Sequence, residues 1–179
     1  MNIAMEHGLY EGSFFSRSLR KVLIKRGHFI TNTRDSEFII AHSGGWLMLN
    51  ADELEGKRVA LVDPAYQDGR SLHSKSLSRL KYDARHTNLT SAPGYLLRRV
   101  LNAGYLLGRF TRWLTMSKQY RTKDIAELLS LPGIIIIRVS DSSWFNPAVM
   151  ADAKDVRMQA GDHDVCWHKP EELADILGL

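Results

Sequence analysis

The apolar positions of this chain change period several times, and each change marks a boundary between an extended and a helical segment. Asn2 to Glu6 is a short apolar-leaning stretch that ends in His7-Gly8. Behind it Phe14, Phe15, Leu19, Val22 and Leu23 recur at helical spacing, with Ser13 as candidate N-cap and Gly27 closing the helix. His28 to Thr31 reads as a strand, and Phe38 to Ala41 as another after a brief polar link. Gly44 to Leu54 is expected to be a helix that packs through Trp46, Leu47 and Leu49, with Asn50 and Gly56 limiting its length. Arg58 to Val62 is again a strand, and it stops at Asp63-Pro64.

From Ala65 the pattern turns helical for a long stretch. Helices are expected over Ser71 to Tyr82, Gly94 to Met116 and Thr122 to Leu129, the middle one weakened by Gly104 and Gly108. Pro132-Gly133 ends this region. The four isoleucines that open Ile134 to Val139 then mark a strand buried on both faces of a parallel sheet. A short helix after Pro147, a strand near Asp155 to Met158, a polar turn at Gly161-Asp162-His163 and a closing helix from about Pro170 to Leu177 complete the chain. Strands alternating with helices predict an α/β fold with a mainly parallel sheet, whose active groups gather at the C-terminal strand ends.

Composition narrows the class. With 179 residues and 44% hydrophobic content the chain suits one domain with a sizeable core. The single cysteine, Cys166, rules out an intrachain disulfide, so the fold does not need an oxidising compartment. Met1 to Glu6 is too short for the core of a secretory signal, and no apolar run approaches a membrane span of about 20 residues. These features fit a cytoplasmic protein. The formal charge of +4 is uneven: Pro64 to Gly133 holds twelve Lys/Arg against four Asp/Glu, and the rest of the chain is acidic.

The apolar run Phe38-Ile39-Ile40-Ala41 leads directly into His42-Ser43-Gly44-Gly45. A serine hydroxyl becomes a nucleophile when a base takes its proton and a sharp turn holds its oxygen clear of the backbone. Such a turn needs small residues two positions either side, which here are Ala41 and Gly45. Two acids and two histidines follow at the right kind of place. Asp141 lies after the isoleucine strand and Asp63 after the strand before it, with Asp141 preferred because Asp63-Pro64 also reads as a simple turn. His163 precedes the last helix, with His168 as its rival.

In this order, Ser43, Asp141, His163, the chain resembles the α/β-hydrolase family. The resemblance runs from the His7-Gly8 loop through Ala41-His42-Ser43-Gly44-Gly45 and the acid after the isoleucine strand to His163-Asp164-Val165-Cys166-Trp167-His168-Lys169-Pro170-Glu171-Glu172. It implies a compact fold of about six mainly parallel strands with flanking helices, the two leading antiparallel strands of larger members being absent. It implies a serine hydrolase acting on a carboxylic ester, or a thioester or amide, of a small molecule. Ser43 would attack, His163 would act as general base and Asp141 would orient it, while the N-H groups of Gly44 and Leu9 would bind the oxyanion. No cofactor and no metal are called for. His42 and His7 read as packing or loop-orienting residues, and Cys166 as an apolar filler.

The basic helical segment, about 65 to 131, falls where the family carries a cap insertion. Its charges are either the solvated faces of amphipathic helices or a means of gathering an anionic partner. Tyr82, Tyr95, Tyr105, Trp113 and Tyr120 interleave with them, which suits an acyl pocket as well as base stacking. No nucleic-acid motif is present, so that partner is not expected, and the oligomeric state is left open. The competing reading is a catalytically inactive protein of the same fold that uses this segment to hold an acidic partner. One tension stands out. Only Asn32 to Glu37 separates two strands expected to be parallel, where a crossover ordinarily takes a dozen residues or more.

Overall fold

The computed structural model describes residues 1–8, 16–66, 74, 110–140 and 155–179. Among them are six strands: β1 (Asn2–Glu6), β2 (Phe29–Thr31), β3 (Phe38–His42), β4 (Arg58–Val62), β5 (Ile134–Val139) and β6 (Val156–Gln159). They form one sheet in the order β2-β1-β3-β4-β5-β6, with every pairing parallel. All strands therefore end at the same edge.

The side-chain alternation of each strand sends one set of residues to each face. Ile39, Ala41, Val59, Leu61, Ile134 and Ile136 pack on one side with Trp46, Leu47, Leu49, Met116, Tyr120, Ile125 and Leu128. Phe38, Ile40, Ala60, Val62, Ile135, Ile137 and Val139 pack on the other with Leu19, Leu23, Val165, Leu173 and Leu177. The isoleucine run is thus shared between two cores, which is why it shows no polar alternation. Each fully buried Val, Leu, Ile or Phe side chain among them contributes roughly 1.5–3 kcal/mol of transfer free energy.

Among the described residues, five helices flank the sheet: α1 (Arg17–Lys25), α2 (Phe110–Thr122), α3 (Ile125–Ser130), α4 (Val165–His168) and α5 (Pro170–Leu177). In α1 the buried positions Leu19, Val22 and Leu23 follow the i, i+3, i+4 stripe of an amphipathic helix. Arg26 at its end reaches the Leu179 carbonyl at 2.5 Å and the carboxylates of Asp175 and Glu171 at 2.7 and 2.8 Å, tying α1 to α5. The closing helix has proline in its first turn and ends on Gly178 in the left-handed conformation, φ 72°. The helix α3 starts at Ile125 because Asp124 caps it, its side chain accepting from the Ala126 N-H at 3.0 Å.

Two expectations change in the structure. Residues 44–54 do not form an α-helix. They run as two short 3-10 turns, Ser43–Met48 and Ala51–Glu53, joined by extended backbone at Leu49 and Asn50. Gly44 and Gly45 have little helical preference, and burial of Trp46, Leu47 and Leu49 in one cluster rewards the irregular path. Lys123 closes this stretch from α3's leading edge, its ammonium donating to the carbonyls of Leu47 and Leu49. The helix α2, expected to end at Met116, continues to Thr122.

The short link between β2 and β3 proves sufficient. Thr31 lies opposite Ala4 and Phe38 opposite Ile3, so the chain steps back by only one residue of register while crossing β1. That crossing spans roughly 10 Å, and six residues can extend to about 20 Å. The slack is taken up by a compact turn. Asn32 accepts from the Asp35 N-H at 3.0 Å, and the Lys57 ammonium clamps the carbonyls of Thr33 and Arg34 at 2.6 and 2.7 Å.

Candidate active site

The apolar run of β3 carries the backbone through the centre of the sheet and releases it at Ser43, whose φ of 56° lies in the left-handed region. A non-glycine residue there is uncommon and must be held in place by its surroundings. The surroundings are tight. A Cβ on Gly45 would stand 2.5 Å from the Glu6 carbonyl oxygen, so only glycine lets the turn lie against the end of β1. A Cβ on Gly8 would stand 3.0 Å from both the Ser43 Oγ and the Gly44 nitrogen. Gly8 therefore packs directly over the hydroxyl, and any side chain there would crowd it. Ala41, where the elbow pattern has glycine, is fully buried and pairs with Leu61 of β4.

The neighbouring strand end shows a second strained residue. Asp63 has φ 41°, donates its N-H to the Ile137 carbonyl at 2.9 Å and is 4% exposed. Because β4 lies beside β3, the two turns touch: the Ala65 N-H donates to the Ser43 carbonyl at 3.0 Å. From the far side of the sheet, the loop between β6 and α4 delivers His163, which is 3% exposed. Its Nδ1 stands 2.5 Å from the Asp63 Oδ2. An ionised carboxylate only accepts, so Nδ1 carries the proton and the lone pair of the neutral ring sits on Nε2.

His42 links this pair to the serine. Its Nε2 lies 2.6 Å from the His163 carbonyl, which fixes the proton on that nitrogen, and its ring lies 4.6 Å from that of His163. The residue next to Ser43 thus holds both backbone and ring of His163. Its role is larger than packing alone.

Ser43, Gly44 and His163 are brought to one strand edge. The acid bonded to His163 Nδ1 is Asp63, the aspartate ranked second from the sequence; Asp141, ranked first, lies outside the described residues, as does Leu9. His168, the rival histidine, is half-exposed and pairs with Asp162 at 3.3 Å. Cys166 is buried. The expected cap segment is described only at residues 65, 66, 74 and 110 onward.

One further group reaches the site without any signal in the sequence. From α2 the Arg112 guanidinium donates to the Glu6 carboxylate at 2.9 Å and to the His7 carbonyl at 3.1 Å. The His7 ring is held at the same time by the Ser16 hydroxyl, 2.9 Å from Nε2.

No protein-family model and no curated protein sequence matches the chain. Solved structures do. The enol-lactonase from Burkholderia xenovorans is 13% identical with a TM-score of 0.65, covering 99% of this chain and 91% of its own. A carboxylesterase from the thaumarchaeon Nitrososphaera gargenis is 14% identical with a TM-score of 0.63, covering 99% and 88%. The thioesterase domain from the curacin biosynthetic pathway is 14% identical with a TM-score of 0.57, covering 98% and 90%. Other similar structures are described as α/β-hydrolases.

Proposed function

We propose that this chain, which has the α/β-hydrolase fold, is a serine hydrolase that cleaves a carboxylic ester through an acyl-enzyme, with Ser43 as nucleophile, His163 as general base and Asp63 as orienting acid. The observation that carries this reading is the buried 2.5 Å contact between His163 and Asp63, set beside a serine whose backbone is held at positive φ. Asp63 takes the place expected of Asp141. Buried ionisable pairs are costly unless compensated, and one next to a strained serine points to use and not to stability alone. The lactonase, carboxylesterase and thioesterase names of its structural neighbours fit the same acyl chemistry.

In the first step the Ser43 Oγ bonds to the carbonyl carbon while its proton passes to His163 Nε2. The Gly44 N-H and the Leu9 N-H stabilise the oxyanion. The intermediate then expels the alcohol, which takes the proton from His163. Water repeats the sequence on the acyl-enzyme, releasing the acid and restoring Ser43. Throughout, the Asp63 carboxylate holds the productive tautomer and favours the imidazolium. Thioesters and amides would pass through the same groups.

The test is hydrolysis of p-nitrophenyl esters of short and medium acyl chains by the wild type and Ser43→Ala, with fluorophosphonate labelling of both followed by intact mass. Turnover and a single adduct should vanish together in Ser43→Ala, a fall of at least about 10³-fold. A folded wild type that neither turns over any ester nor takes the label overturns the hydrolase reading.

A further inference from the structure

We infer that Arg112, on α2 within the basic segment, is a positioning residue for the oxyanion loop: it fixes the peptide plane between His7 and Gly8 and couples that loop to α2. The inference rests on the hydrolase reading above. Arg112 makes two contacts with one nitrogen. Nη2 donates to the Glu6 carboxylate at 2.9 Å and to the His7 carbonyl at 3.1 Å. Both ends of the ion pair are only about a quarter exposed, 27% for Arg112 and 22% for Glu6, so the bond is less screened than a surface pair.

The segment Glu6-His7-Gly8 is short, and almost every group in it is engaged. The Glu6 carboxylate takes a second bond from Thr33 at 3.2 Å. The Glu6 carbonyl bears on Gly45, and Gly8 lies against Ser43 and Gly44. The His7 ring is held by Ser16. Among the described residues, the His7 carbonyl has Arg112 as the donor with a formal charge. The His7 carbonyl shares its peptide plane with the Gly8 N-H, and Gly8 packs against the Ser43 hydroxyl and the Gly44 nitrogen, so a plane that turns at His7 moves Gly8 against the serine turn. An oxyanion donor works only where it is aimed in advance.

The rest of α2 supports the same face. Met116, four residues after Arg112, approaches Gly44: a Cβ built on that glycine would meet its Cε at 3.1 Å. Tyr120, four further on, donates from its hydroxyl to the Tyr66 carbonyl at 2.8 Å, three residues past Asp63. Residues at i, i+4 and i+8 share one helix face. One stripe of α2 therefore touches the loop before α1, the serine turn and the turn after β4. Arg112 is the charged member of that stripe, so at least this basic side chain serves the site's architecture and not an anionic partner.

The experiment compares the wild type with Arg112→Gln, Arg112→Lys and Glu6→Gln. The readouts are kcat and KM on one p-nitrophenyl ester, the fluorophosphonate labelling rate, affinity for a trifluoromethyl ketone, and thermal melting. Arg112→Gln should lower kcat and the labelling rate roughly 10- to 100-fold, with KM changed less than about twofold. Affinity for the ketone, whose adduct carries an oxyanion, should fall by a similar factor. Arg112→Lys, which keeps the charge and one donor group, should recover part of the loss. Glu6→Gln should act in the same direction, and its effect should not add to that of Arg112→Gln. If Arg112→Gln fails to fold, Glu6→Gln carries the test alone through kcat and ketone affinity. A labelled, active wild type with unchanged kcat and ketone affinity in a folded Arg112→Gln, or in Glu6→Gln, overturns this inference and leaves the hydrolase reading standing. A wild type that is neither active nor labelled overturns both.

Discussion

Replacing Asp63 by asparagine tests the proposed orienting acid apart from every other part of the site. Asparagine keeps the size of the side chain and tolerates the left-handed backbone at φ 41°, so the turn after β4 survives. The charge does not. In the wild type the carboxylate lies 2.5 Å from His163 Nδ1, with both residues almost wholly buried. With charge centres roughly 4 Å apart and an effective dielectric of about 20, the attraction for an imidazolium is about 4 kcal/mol, which corresponds to about three decades in rate. The amide adds a second penalty if its NH2 faces Nδ1, because the ring must then carry its proton on Nε2 and cannot serve as base. We therefore expect kcat for a p-nitrophenyl ester to fall about 10³-fold or more in Asp63→Asn, with KM within about threefold and melting temperature little changed. Asp141→Asn, measured in parallel, should stay within about threefold of wild type. The reasoning is refuted if Asp63→Asn retains a tenth of wild-type kcat, or if Asp141→Asn collapses while Asp63→Asn does not.

Two further outcomes test the surroundings. Gly45→Ala places a methyl 2.5 Å from the Glu6 carbonyl oxygen and 3.0 Å from the His7 nitrogen, backbone atoms that cannot swing aside; a cost of about 1–3 kcal/mol should lower the melting temperature by several degrees, and an unchanged melt sinks the close-approach argument. At the other sheet edge, the hydrogen bond and charge of Arg157 hold the Asp155 carboxyl below the usual carboxylate range. The folded state therefore binds this proton less readily than the unfolded chain does. The stabilisation is complete above the ordinary carboxylate value of about 4 and is lost as pH falls through the depressed one. Asp155→Asn should thus melt slightly below wild type at pH 7, by less than about 1 kcal/mol for so exposed a pair, and the two should converge in acid; a gap that persists at pH 2 contradicts the assignment.

The strands were legible because central parallel strands need to be apolar on both sides. Phe38 to Ala41, Arg58 to Val62 and Ile134 to Val139 stand out for that reason, and each lies in the sheet as expected. The closing helix was equally plain, since Pro170 starts it and Gly178 ends it. The stretch after Ser43 misled because its conformation is set by contacts absent from local sequence: Gly45 must clear the Glu6 carbonyl, and Lys123 must reach back to Leu47 and Leu49. The choice between Asp63 and Asp141 was of the same kind. Both follow strands, and the contact that brings Asp63 against His163 joins residues 100 apart, which no local pattern records. Arg112 was one of twelve basic residues in its segment, with nothing in its neighbours to single it out.

Ser43 and Asp63 both sit in a backbone region that an isolated chain seldom visits. Their restraints come from Glu6, Gly8, Ile137 and His163, the last of these 100 residues beyond Asp63. Closing loops of that length carries an entropic cost that only completed strand pairing repays. The geometry of the site therefore depends on β1, β3, β4 and β5 being in register, because the contacts at either turn are made across those strands. Partial structure that satisfies the helices and much of the core would leave the serine relaxed and inert. On the hydrolase reading, activity would report on the whole sheet, and substitutions far from the serine, such as those in the outer strands, would lower the fraction of competent molecules before they alter the chemistry.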